Sequence, residues 1–167
     1  MKKIFAAILL SAFVTAPAFA AGNVGVNYSL DGALGLQGEF DISSMVDKAP
    51  ISVQVFWKQE TETVFGIDAD HTGIGVVGIY DLSSVTNIAK KGAAGKKMTP
   101  YVGLGFARET VSATVPGFGP FPATTVEATK TELYFTGGMR YKFAPDFAVD
   151  VSYNNLFDLT VGLNYNF

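Results

Sequence analysis

Few side chains in the 167-residue sequence have the type and spacing to do chemistry. His71 is the single histidine, preceded by Asp68-Ala69-Asp70 and followed by Thr72-Gly73. A histidine can act as general base for a serine within hydrogen-bond reach, and Ser112, on another segment, is the candidate partner; the reaction would be hydrolysis of a lipid. No H-x-S pattern supports that pairing, so the expected reading is a solvated histidine with no catalytic site. Asp68 and Asp70 could offer oxygens to calcium, but two carboxylates without further ligands read as a solvated loop, and no metal is expected. The absence of cysteine removes a thiolate nucleophile, a disulfide scaffold and a cysteine-ligated zinc or iron-sulfur site. Nothing points to a cofactor. The formal charge of -3 argues against a nucleic-acid partner. Phe118 and Phe121, within Pro116-Gly117-Phe118-Gly119-Pro120-Phe121-Pro122, are weak candidates for a binding surface; rings folded onto a rim or into lipid headgroups explain them equally well.

The elements that must position these residues are announced by an odd composition. The chain is 49% hydrophobic and only 16% charged, with 18 glycines, 14 phenylalanines and 7 tyrosines. Yet beyond the first twenty residues no run approaches the ~20 apolar residues a spanning helix requires. Those first twenty read as a cleaved export signal: Met1-Lys2-Lys3 is basic, residues 4–14 are apolar but for Ser11, and Pro17-Ala18-Phe19-Ala20 ends in a small-x-small site. Cleavage between Ala20 and Ala21 would leave residues 21–167 with ten basic and fifteen acidic residues, a formal charge of -5.

From there the sequence alternates with a period of two, the pattern of strands rather than helices. In Leu159-Thr160-Val161-Gly162-Leu163-Asn164-Tyr165-Asn166-Phe167 every odd position is apolar or aromatic. Alternation of the same period, on even positions in the first two, runs around residues 23–30, 34–42, 134–143 and 147–154, with Asp31-Gly32 as a hairpin signal between the first two. Residues 51–59 and 101–109 alternate less cleanly, and 71–80 is apolar on both faces, which leaves its register open. The reading is eight strands of about nine to eleven residues, enough for tilted strands to cross a bilayer. Ala144-Pro145-Asp146 is a tight turn, and residues 154–158 form a short polar one. Residues 111–125 read as a loop because of their prolines, and 90–97 as a basic linker after a helical turn at 83–89.

Three features favour a membrane barrel over a soluble sandwich. The apolar faces are rich in large aromatics while the opposite faces are rich in Gly, Ser, Thr and Asn. The polar faces also carry Glu39, Asp41, Lys58, Glu132, Arg140, Lys142 and Asp150, which could pair across a narrow lumen and plug it. Tyr141, Phe143, Phe147, Tyr165 and Phe167 would gather at one rim as an interfacial girdle. In addition, Val24-Gly25-Val26-Asn27-Tyr28 echoes Val161-Gly162-Leu163-Asn164-Tyr165, as the first and last strands of a closed barrel should.

The ending Thr160-x-Gly162-x-x-Tyr165-x-Phe167 looks like the C-terminal assembly signal of bacterial outer-membrane barrels, carried here by Gly162, Tyr165 and Phe167. Residues 21–167 as a whole resemble the small OmpX/OmpA-like outer-membrane β-barrel families. The resemblance implies an eight-stranded antiparallel up-and-down transmembrane barrel, inserted by the barrel-assembly machinery of a Gram-negative bacterium, with both termini in the periplasm. Its surroundings would be outer-membrane lipid and lipopolysaccharide, and its state a monomer. One departure is that the Asp31-Gly32 connection, which should be extracellular, is minimal, whereas the periplasmic one at 83–98 is long. The expected function is a structural, envelope or surface-interaction role without catalysis; the alternatives are a small-solute channel or ligand-binding barrel, then a lipid-modifying barrel enzyme.

Overall fold

In the computed structural model, the described residues are 21–167 without 48, 65–66, 84, 87–96, 116 and 118–121. The expected export signal, most of the basic linker, and Phe118 and Phe121 lie outside the described residues.

Eight strands form: β1 (Gly22–Ser29), β2 (Leu34–Asp41), β3 (Ile51–Val64), β4 (Ile67–Asp81), β5 (Met98–Val115), β6 (Thr124–Lys142), β7 (Phe147–Asn154) and β8 (Asp158–Asn166). Each pairs antiparallel with the next, and β8 pairs with β1 to close the barrel. The two echoing pentapeptides lie directly against each other at that seam, with Val26 opposite Leu163. An even number of antiparallel strands puts both termini at one end, here called the near end.

Alternation decides which side chains meet which environment. Val26, Tyr28, Val76, Leu104, Phe106, Phe135, Val151, Tyr153, Val161 and Leu163 point outward and are exposed. Asn27, Gln37, Gln54, Thr136, Ser152, Asn154, Thr160 and Asn164 point inward and are buried. The fold is therefore inside-out relative to a soluble domain. The ambiguous 71–80 segment resolves with Ile74, Val76 and Tyr80 outside and Val77 and Ile79 in the lumen. That register succeeds because Val77 and Ile79 pack with Phe56, Tyr101 and Tyr134, which make the β3–β6 side of the lumen apolar. Tyr141, Phe143, Phe147, Tyr165 and Phe167 cluster at the near end along the β6–β8 side, with Phe147 5.4 Å from Tyr165 and 6.3 Å from Phe143.

Two expectations about length fail. β3, β4, β5 and β6 have 14, 15, 18 and 19 residues, while the other four have eight or nine. Residues 111–115 and 124–125, read as loop, are strand, because the ladder continues to Val115 opposite Thr124. The long hairpins rise at the far end, beyond the Asp31-Gly32 turn. There the pairing of β2 with β3 stops at Leu34 opposite Gln59, and that of β6 with β7 at Thr136 opposite Asn154. The minimal first turn is thus one side of a barrel whose other wall extends about 40 Å along β6 beyond Thr136, at ~3.3 Å per residue. At 82–86, the N–H groups of Val85 and Thr86 donate to the Leu82 carbonyl, forming a turn; the rest of the expected helical turn lies outside the described residues.

Candidate functional site

The lumen is the place where sequence-distant polar groups meet. Its near-end layer is an ion-pair cluster. Arg140 on β6 reaches across the barrel, its Nη2 2.7 Å from Glu39 Oε2 on β2 and its Nε 3.4 Å from Asp150 Oδ2 on β7. Tyr101 donates to Asp150 at 2.9 Å, and Ser52 donates to Glu39 at 2.5 Å. Between this layer and the near-end opening lies a polar vestibule of about 520 Å³, lined among others by Asp41, Asp81, Thr99, Lys142 and Asn166.

The middle layer is uncharged: Asn27 donates to Gln37 at 2.9 Å, and Gln37 to Asn164 at 2.8 Å. Gly75 carries no side chain because Phe56 occupies its space; a Cβ there would fall 2.5 Å from the ring. The gap left in this layer is about 10 Å³, hardly room for one water molecule.

Above it, Lys58 is buried and donates to Ser29 and Thr160, both at 2.8 Å. Its ammonium also sits 4.7 Å from the centre of the Phe157 ring. Phe157 is 0% exposed although it belongs to the β7–β8 turn. Asn154 bends that turn inward by accepting from the Phe157 N–H at 2.7 Å and the Leu156 N–H at 3.2 Å. The ring rests against Gly73, where a Cβ would fall 2.5 Å away, and stacks on His71 at 5.5 Å. The turn read as short and polar thus supplies an aromatic stopper for the lumen. Its sequence signal is a phenylalanine in a turn, opposite a lumen-facing glycine.

Outside the stopper is a second charged cluster. His71 Nε2 lies 3.3 Å from Glu109 Oε1, and its Nδ1 4.0 Å from Glu60 Oε2. Lys130 bridges Glu109 at 3.2 Å and Glu132 at 2.9 Å. Those hydrogen bonds push the Lys130 ammonium up and hold the Glu132 carboxyl below its ordinary value. Burial pushes the Glu60 carboxyl up, and the charges of Asp31 and Glu62 push it the same way.

The seven charges expected to form one lumen network therefore divide. Glu39, Arg140 and Asp150 meet; Lys58 sits among hydroxyls above the middle layer; Asp41 and Lys142 line the vestibule; Glu132 joins the outer cluster. His71 and Ser112 are not brought together. His71 is opposite Val111 in the ladder and Ser112 opposite Asp70, so their side chains leave opposite faces of the sheet. Asp68 and Asp70 accept hydrogen bonds from Thr63 and Thr61, both at 2.8 Å on the outward face. Among the described residues no group of three or more His, Asp or Glu side chains is arranged to hold a metal ion. Of the assembly-signal residues, Gly162 faces the lumen with its Cβ position 3.3 Å from Asn27, while Tyr165 and Phe167 are exposed at the near-end rim.

No protein-family model matches the chain, and no curated protein sequence does. Solved structures do. The N-terminal β-barrel domain of Pseudomonas aeruginosa OprF superposes with a TM-score of 0.58 at 14% identity, covering 89% of this chain and 98% of that one. Neisserial surface protein A gives 0.57 at 16% identity over 88% of this chain and 94% of that one. A major outer membrane protein from Thermus thermophilus gives 0.58 at 11% identity over 88% and 98%. At these identities the likeness is one of architecture: the chain has the fold of the small eight-stranded outer-membrane β-barrels.

Proposed function

We propose that the protein is an integral β-barrel of a bacterial outer membrane with a structural or surface-interaction role, carrying out neither transport nor catalysis. The observation that carries this is the filled lumen inside an apolar outer wall. Between the Arg140 layer and Phe157 the gap among the described side chains has about 10 Å³ for water-sized occupants, whereas a path for solutes needs a continuous water column. The girdle at the near end and the far-end limit at Phe106 and Leu133 bracket an outward apolar band, the arrangement lipid-exposed barrels require. In this reading the near end lies in the periplasm, the tall β3–β6 wall stands outside the cell, and residues 1–20 are removed on export. Lipid and lipopolysaccharide surround a monomer, and the Gly162, Tyr165 and Phe167 pattern engages the barrel-assembly machinery. The separation of His71 from Ser112 supports a non-catalytic barrel over a lipid hydrolase.

The test is purified protein in planar bilayers combined with gel migration before and after boiling. The expected result is a heat-dependent shift of mobility with no stable unitary current. Large, reproducible channel openings would replace the sealed barrel with a pore, and full solubility without detergent would remove it from the membrane.

A further inference from the structure

The outer wall reverses its alternation, and the reversal leaves an apolar face in water. No bulge interrupts the ladders of β4, β5 and β6, so lumen-facing parity continues past the stopper. Below, that face carries Tyr101, Glu109 and Arg140; above, it carries Ala69, Val111, Ala113, Val115, Val126 and Ala128, with His71 and Thr124 as the polar members of the same rows. The six apolar residues lie in adjacent rows, Ala69–Ala113–Val126 across one and Val111–Ala128 across the next, with Val115 one step higher. Val111 is 41% exposed and Val126 60%. The outward side of the same segment is Thr110, Ser112, Thr114, Thr125, Glu127 and Thr129, tied by Thr110–Thr129 and Thr114–Thr125 hydroxyl bonds of 3.2 and 3.0 Å. A wall surrounded only by water would have no reason to be apolar on one side.

Beside and beneath this face the mouth is acidic. Glu60 and Glu62 on β3 lie in the same rows as Val111 and Ala113, and Glu109 and Glu132 lie in the rows below; with Asp31 they stand against Lys130 and His71, among the described residues. An apolar wall on β5 and β6 with an anionic flank on β3 and an anionic floor suits an occupant with apolar side chains on one edge and cations on the other. Anionic lipids and nucleic acids are repelled by the floor, and a second copy would bring the same carboxylates with it. We propose that this bowl is a docking surface for a cationic amphipathic peptide segment, whose apolar side chains lie on the Val111–Val126 wall and whose ammonium or guanidinium groups reach Asp31, Glu60 and Glu62. The inference rests on the outer-membrane reading, which turns the bowl toward the cell exterior.

The experiment uses the full barrel in phosphatidylcholine nanodiscs and a fluorescent peptide of alternating lysine and valine, read by anisotropy. Serine/valine and lysine/serine peptides and empty nanodiscs serve as controls. The lysine/valine peptide should bind about tenfold more tightly than either control peptide, a difference of ~1.4 kcal/mol. Replacing Val111 and Val126 together by serine, or Glu60→Gln with Glu62→Gln, should each weaken it by about tenfold, and added salt should weaken it further. Equal binding of the three peptides, or unchanged affinity in both double variants, overturns the proposal; the latter is also what a peptide added to the open β6 edge would give. The boil-shift of the same samples reports barrel integrity, and labelling of Thr129→Cys on intact cells reports orientation. Failure of the outer-membrane reading is therefore visible separately from failure of the docking site.

Discussion

β6 behaves as two different strands joined end to end. Over residues 133–142 its outward side is Leu133, Phe135, Gly137, Met139 and Tyr141, and its inward side includes Tyr134, Thr136 and Arg140. Over 124–131 the outward side turns polar and the inward side gains apolar residues: Thr125, Glu127, Thr129 and Thr131 face out, while Val126 and Ala128 face in between Thr124 and Lys130. The backbone parity never changes, so the exchange lies in the side chains alone, and it is what the proposed membrane setting, lipid below and water above, requires. The lesson is that a period of two identifies a strand, whereas the sense of the alternation identifies what it stands in.

The same contrast governs charge. Lower down, Arg140 is enclosed between Glu39 and Asp150, both buried. Ten positions up on the same face, Lys130 bridges Glu109 and Glu132 with its own side chain 63% exposed. Arg140→Met should therefore have the largest effect, a loss of roughly 3–5 kcal/mol, because two carboxylates are left buried without their cation. Lys130→Met should barely move the unfolding midpoint, because water and salt screen an exposed pair. Urea titration of the folded gel band in lipid vesicles measures both, and equal losses would erase the distinction between the two halves.

Next in size is a charge on the outward side. Val151→Arg, in the apolar band opposite Val161, should lose about 2–4 kcal/mol, whereas Thr129→Arg should stay within ~0.5 kcal/mol. The same titration reads the pair; tolerance of arginine at Val151 would mean that this wall does not face lipid.

The smallest effect is the pH response of the outer cluster. The Glu60 carboxyl is pushed up in the folded protein, so the unfolded chain ionises first as pH rises. The stability penalty is therefore absent below the ordinary carboxylate value and complete once pH passes the raised one. Glu60→Gln should move the unfolding midpoint slightly upward at pH 7 and leave it unchanged in acid. A variant that loses stability at pH 7 would show that Glu60 is held by its neighbours rather than crowded by them.

These halves were not equally legible in the sequence. The stretches with an apolar outward face alternate large aromatics with glycine and small polar residues, and the two echoing pentapeptides pair at the seam as closure demands. The upper halves evade the same reading because Val111, Ala113 and Val115 lead into a proline-rich tip, while Thr124–Lys130 has only Val126 and Ala128 to set against polar neighbours. Residues 71–80 are apolar on both faces because Val77 and Ile79 fill a partly apolar lumen rather than touch lipid. Phe157 escapes period-two reading altogether, since it lies in a turn. Its trace is only the space it requires at Gly73. For the charged residues, sequence shows which face each occupies but not its depth, and depth is what separates the Glu39–Arg140–Asp150 cluster from Lys58 and Glu132.

The lipid–water boundary on β6 can be read directly, because the protein has no cysteine to interfere with labelling. Single cysteines at the outward positions 125–141, spin-labelled in lipid vesicles, would report their accessibility to oxygen and to a water-soluble nickel complex. Oxygen should dominate at 133, 135, 137 and 139, with the nickel complex taking over at 131 and beyond. Uniform nickel accessibility along the whole outward side would contradict the account, because no lipid would then cover the apolar band.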